Sequence, residues 1–191
     1  MTHASLLVVA QTSGVVAPQH AFPFLTAIIL APVFAAALVG AIPKDAKRLI
    51  RSVTLAASIA VLGITGAVID LFRSADGGYQ MVSHHIWAPG LGISWSIGVD
   101  GISLFLVALT ALLFPLVFFG ASARRGAKSF SIWMLLLEAG CLGSFLSLDL
   151  LMFFLFFETT LIPIYFLMVN WGHEGRNRAA MKFFVYTFQE R

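Results

Sequence analysis

The sequence predicts an all-α integral membrane protein, and three observations carry that prediction. Of 191 residues, 59% are hydrophobic and only 11% charged, whereas an average globular domain is about 25% charged. A soluble fold of this composition would lack the polar surface to cover itself. The apolar residues gather into five runs, each near the ~20 residues needed to cross ~30 Å of hydrocarbon. The basic residues gather in alternate loops between those runs, the asymmetry that orients a multi-pass protein.

The first run is read as a helix over about 22–42. It ends at "PKDAKRLIR", whose Lys44, Lys47, Arg48 and Arg51 precede a second helix over about 50–72. The long segment "RSADGGYQMVSHHIWAPGLGISWSIGVD" follows, with Arg73 its only basic residue. Gly77, Gly78, Pro89, Gly90 and Gly92 predict irregular backbone or a short hairpin there. His84 and His85 are too few for a metal site. They read as solvent-exposed histidines beside interfacial tryptophans, Trp87 and Trp95.

A third helix is expected over about 99–120, opened by Asp100 with Ser103 three residues on. A carboxylate at that place caps free N–H groups and suits the helix dipole. "SARRGAK", holding Arg124, Arg125 and Lys128, leads to a fourth helix over about 130–148. Its Gly140, Gly143, Ser144 and Ser147 permit close helix contact. Cys141, the single cysteine, reads as a small buried core residue and excludes an intrachain disulfide or CxxC site.

A short link at Asp149 turns the chain into a fifth helix over about 151–171, and "HEGRNR" supplies Arg176 and Arg178 beyond it. A partial sixth helix, about 178–189, begins "RAAMKFFVYTF" and stops at "QER" after about half a span. With the basic loops inside, all five spans agree on an N-terminus outside. The whole of 1–191 reads as a single membrane domain with no internal repeat.

Other function classes recede. The net charge of +3 is small and spread over loops, which suits membrane orientation and argues against nucleic-acid binding. The N-terminal "MTHASLLVVAQTSGVVAPQH" lacks the basic start of a secretory signal. No Gly-rich phosphate loop, HExxH, GxSxG or Cys/His cluster is present. What remains is proton or ion chemistry.

Two acids lie inside spans: Glu138 in the fourth and Glu158 in the fifth. Counted from the turn at Asp149 they are eleven and nine residues away, so at ~1.5 Å rise per residue they differ in depth by only ~3 Å. An antiparallel hairpin thus sets two carboxyl groups at one level near mid-membrane. Spacing alone leaves open whether they meet. Ionisable groups buried in spans are costly and mark ion or proton paths; the rival reading is a protonated acid that only fastens helices together.

Pro163 deprives the Thr159 carbonyl of its helical partner. With the Thr159 and Thr160 hydroxyls, that carbonyl can hold relaying waters beside Glu158, or the proline only kinks the helix for packing. Tyr165, seven residues after Glu158, either joins this path or anchors the interface. Lys182 reads as snorkelling to the inner interface or as a stop on a proton path to the cytoplasm.

"VDGISLFLVALTALL", "SLDLLMFFLFFETTLIPIYFL" and "WGHEGRNRAAMKFFVYT" together resemble the chain M type of antiporter-like subunit in proton-pumping NADH–quinone oxidoreductase, respiratory complex I. The resemblance runs from the first helix to Thr187 and is most specific from Asp149 onward. It implies the N-terminal part of an inverted-repeat helix bundle; the lack of an evident transit peptide adds the expectation of a bacterial cytoplasmic membrane. Glu158 falls on the family's helix-five glutamate, held to be essential for pumping, and Glu138 on an acid found in many members. Lys182, Phe183 and Phe184 match its "KFF" segment.

The resemblance further implies no cofactor in this chain, with NAD(H), FMN, iron–sulfur clusters and quinone held by partner subunits. The implied partners are the other membrane subunits of complex I and the lipid bilayer, with quinone engaged only indirectly. Family members continue through many more helices, including a broken helix seven whose lysine partners the helix-five glutamate. This chain stops at "FQER", so the expectation is a truncated subunit or a fragment of a split gene. Two rival expectations stand beside it: a non-catalytic membrane fragment, and a subunit of a cation/proton antiporter or membrane-bound hydrogenase.

Overall fold

Apolar runs with no partner in lipid for their backbone groups must become helices, and the chain obeys. The computed structural model describes residues 24–73, 78–88, 93–120, 127–172 and 176–189. Among these, α1 spans Phe24–Ala41, α2 Lys47–Leu71, α3 Gly101–Gly120, α4 Ala127–Leu146, α5 Leu150–Trp171 and α6 Arg176–Gln189. The first five are long and apolar enough to cross a membrane. The N-terminal 1–23, Gly77, Pro89, Gly90, Gly92, Arg124, Arg125 and residues 173–175 lie outside the described residues.

Helix ends follow local chemistry. α2 starts at Lys47, earlier than the apolar run suggests, because Lys47, Arg48 and Arg51 are exposed on its first turns and long basic side chains reach water from inside a helix. Asp100 closes a reciprocal cap ahead of α3: its Oδ1 accepts from the Ser103 N–H at 2.8 Å, and its own N–H donates to Ser103 Oγ at 2.9 Å. Asp149 Oδ1 accepts from the Leu151 N–H at 2.9 Å and starts α5. Lys128 Nζ donates to the Gly40 and Ile42 carbonyls, both at 2.7 Å. It thereby caps the end of α1 with a cation, where the helix dipole favours one.

The segment between α2 and α3 is a hairpin of two antiparallel strands, β1 (Gln80–Ala88) and β2 (Ile93–Val99). Its register slips between Gln80 and Ser83, where Met81 takes a positive φ of 53°, the signature of a bulge. His84 and His85 are exposed on it. The hairpin is strapped to the α4–α5 turn. Leu148 N–H donates to the Ser96 carbonyl at 2.9 Å, Ile97 bridges Ser147, and Ser94 Oγ donates to Asp149 Oδ2 at 3.3 Å. Gly98 makes room, since a Cβ there would come within 2.8 Å of Leu148 Cδ1.

α4 is the hub. It packs most extensively against α1 and α5 and also touches α2, α3 and β2. Its membrane window is 61% buried, against 17% for α5. Gly140 and Gly143 allow the approach of α5, with Thr160 and Phe156 filling the space their missing side chains leave. The core divides into two apolar clusters. One includes Ile28, Ile29, Val61, Leu142 and Leu146; the other includes Ala35, Ala36, Ile50, Leu135 and Phe130. Cys141, expected in the core, is only partly buried, because α4 turns its neighbours Glu138 and Leu142 inward instead.

Candidate functional site

The hairpin arithmetic brings Glu138 and Glu158 to one level, but the rotation of each helix decides what each acid sees. On α5 the side facing α4 carries Phe156 and Thr160. Glu158 is two residues from each, about 200° around the helix, and so faces away from α4. It lines a groove of about 280 Å³ with Leu155, Thr159 and Ile162 of α5 and Phe183 and Thr187 of α6. Residues 155, 158, 159 and 162 form a stripe at helical spacing, so the groove runs along one face of α5.

Glu138 turns the other way. It is two residues from Gly140, which touches α5, and its carboxyl enters the core, fully buried at 0% exposure. There Ser58 Oγ of α2 donates to Glu138 Oε1 at 3.0 Å, while Oε2 has no hydrogen-bond partner among the described residues. The two acids are therefore not brought together. One faces α6 through an open groove; the other is sealed between α4 and α2.

Lys182 is exposed on α6, next to Phe183 of the Glu158 groove. Thr159 and Thr160 direct their hydroxyls to the Leu155 and Phe157 carbonyls at 2.7 and 2.6 Å; Thr159 lines the groove beside Glu158, whereas Thr160 is buried against α4. Pro163 is buried. Tyr165 is partly buried and meets the Phe166 ring edge-on at 5.6 Å. A larger cavity, about 730 Å³ between α3, α4 and α5, is lined by residues such as Val117, Met134, Leu137 and Trp171. Among the described residues its lining includes no ionisable side chain.

Ser58 is the residue that sequence reasoning passed over. The signal was present: Thr54, Ser58 and Thr65 recur at spacings of four and seven on α2, a buried stripe of hydroxyls in an apolar helix. Among the described residues no group of three or more His, Cys, Asp or Glu could hold a metal ion.

A membrane bundle of this shape, with an acid at the middle of its fifth helix, has known relatives. Residues 147–189, from the α4–α5 turn through α6, match the family model described as NADH:quinone oxidoreductase/Mrp antiporter, TM. The chain belongs to this family of antiporter-like membrane proteins. Within it, the similarity is to subunit M and chain 4. The chain is 38% identical over 149 residues to NADH-quinone oxidoreductase subunit M of Rickettsia felis, covering 76% of this chain and 30% of that one. It is 40% identical over 167 residues to the chloroplastic NAD(P)H-quinone oxidoreductase chain 4 of Chlorokybus atmophyticus, covering 86% and 33%.

The chain thus spans about a third of the length of the curated relatives it matches. Among solved structures it superposes on a chain of respiratory complex I from Thermus thermophilus with a TM-score of 0.72 at 30% identity, covering 86% of this chain and 32% of that one. A chain of an archaeal membrane-bound sulfane sulfur reductase shares the fold, with a TM-score of 0.71 at 21% identity over 86% of this chain and 34% of that one.

Proposed function

We propose that the chain acts as a proton-translocating membrane subunit, or the corresponding portion of one, in an NADH:quinone oxidoreductase. NADH oxidation and quinone reduction in partner subunits would drive the proton movement. In this reading NAD(H), FMN, iron–sulfur clusters and quinone belong to those partners, and the neighbours in the bilayer are other antiporter-like subunits. The membrane is a bacterial cytoplasmic one, with the N-terminus outside and the basic loops inside.

The observation that carries the reading is Glu158, set mid-way along a 22-residue apolar helix and lining a groove shared with α6. An ionisable side chain at such depth is a functional group by default. The Thr159 oxygen and the groove volume support water beside it, and a carboxyl group in contact with water can gain and lose a proton. Glu138 is a second protonatable acid on the other side of α4, and Lys182 a stop toward the inner surface.

Two measurements test this. A tagged chain should bring quinone-oxidoreductase subunits with it on purification from membranes; purification of the chain alone would favour a non-catalytic membrane fragment. In the assembled complex, Glu158→Gln should abolish proton uptake by vesicles while leaving assembly intact. Unchanged uptake refutes the role of Glu158. The family description also names the Mrp antiporter, so a second reading is cation/proton exchange. Sodium-driven pH changes in vesicles without NADH would favour it.

A further inference from the structure

The two apolar clusters of the core part along one layer. On α1 the break between Ile28–Ile29 and Ala35–Ala36 spans Pro32; on α2 the break between Ile50 and Val61 contains Ser58; on α4 the break between Leu135 and Leu142 contains Glu138. A buried polar pair thus sits where the apolar packing is interrupted. Three hydroxyls lie along the buried face of α2. Thr54 and Thr65 donate to their own helix, to the Ile50 and Val61 carbonyls, both at 2.8 Å, as mid-helix hydroxyls commonly do. Ser58 instead reaches across to Glu138 at 3.0 Å.

As a fastener between α2 and α4 this pair is poorly chosen. A buried polar atom without a partner is expensive, and Oε2 has none among the described residues. Two hydroxyls would link the helices at less cost. An acid with one oxygen held and the other buried without a partner among the described residues is better suited to carrying a proton than to holding helices.

We propose that Ser58 is a positioning residue for Glu138, donating its hydroxyl to Oε1 so that Oε2 is the oxygen that takes up and releases the proton. The proposal rests on the reading of Glu138 as a protonatable acid of the path. Oε1 accepts the Ser58 hydroxyl whether the acid is neutral or ionised, so the carboxyl keeps one orientation in both states. On uptake an O–H bond forms at Oε2 as one breaks in a hydronium ion, leaving water; release is the reverse, and the Ser58 O–H bond never breaks. In the ionised state the bond is charge-assisted and about twice as strong as a neutral one. Without it the buried anion has no donor among the described residues, and the acid stays protonated.

The test uses membranes bearing the assembled complex and reads the infrared carbonyl band of protonated Glu138, assigned by its absence in Glu138→Gln. In the parent the band should weaken during turnover. Ser58→Ala and Ser58→Val should raise its frequency, abolish that turnover-linked change and slow pumping by roughly 10- to 100-fold, the loss expected for a hydrogen bond to a charged group. Ser58→Thr restores the hydroxyl and should behave as the parent; Val, its isostere, isolates the O–H from the added methyl. A band unmoved in Ser58→Ala, or a Thr variant as slow as the Val variant, overturns the proposal. Parental pumping in Glu138→Gln would instead remove Glu138 from the path, a separate failure, since the band position in Ser58→Ala is read independently of pumping.

Discussion

Gly143→Ala and Gly63→Ala make the same chemical change in two helices, and the structure gives them opposite signs. A Cβ on Gly143 would fall within 2.5 Å of Phe156 Cγ and Cε1. The ring cannot simply swing aside, because its root is among the atoms struck and it forms a T-shaped pair with Trp95 of the hairpin, ring centres 6.1 Å apart. Overpacking of that kind costs about 1–3 kcal/mol. Replacing a mid-helix glycine by alanine returns about 1 kcal/mol, so the net loss is up to about 2 kcal/mol. Gly63 is exposed on α2 and a Cβ there meets nothing within 4 Å; that variant should gain about 0.5–1 kcal/mol. For a chain of this size 1 kcal/mol is roughly 2–4 °C of thermal midpoint. In detergent, Gly143→Ala should therefore melt below the parent, by up to about 8 °C, and Gly63→Ala roughly 1–4 °C above it. If both variants shift the same way, the close packing of α4 on α5 is not what the glycine serves.

Lys128→Met removes the cation that caps α1 and should cost about 1 kcal/mol, read as a lower thermal midpoint that high salt does not restore. Asp100→Ala should cost about 0.5–2 kcal/mol by opening the start of α3, with Asp100→Asn close to parental because Asn also caps well. The Ser103 N–H, and after it the Ser103 hydroxyl, holds the Asp100 carboxyl below its ordinary value of 3.8. Its contribution is therefore complete above that ordinary value and lost as pH falls through the lowered one, and an acid titration of the Asn variant should lack that component. Asp149→Ala loses both the α5 cap and the Ser94 contact; hydrogen exchange should quicken at Leu151 and along 93–99, while exchange at mid-α4 stays parental.

The five spans were legible because lipid imposes a length and a composition on any crossing segment. The Asp100 cap was legible because capping is a contest among near neighbours. The hairpin was half legible: glycine and proline marked a turn region, but its strap to Ser147, Leu148 and Asp149 depends on groups some fifty residues apart.

The common depth of Glu138 and Glu158 followed from a count along two helices joined by a short turn, since rise per residue is fixed by the backbone. Their separation did not follow, because α4 is apolar nearly all round and offers no polar face to reveal its rotation. Only packing against α1, α2, α3 and α5 turns Glu138 to Ser58, eighty residues away, and leaves Glu158 to the groove with α6. Sequence determined which segments are long and apolar enough to cross and that the two acids share a level along the α4–α5 pair; tertiary structure decided which neighbour each acid meets, because a helix in an apolar environment is free to spin until side-chain shape fixes it.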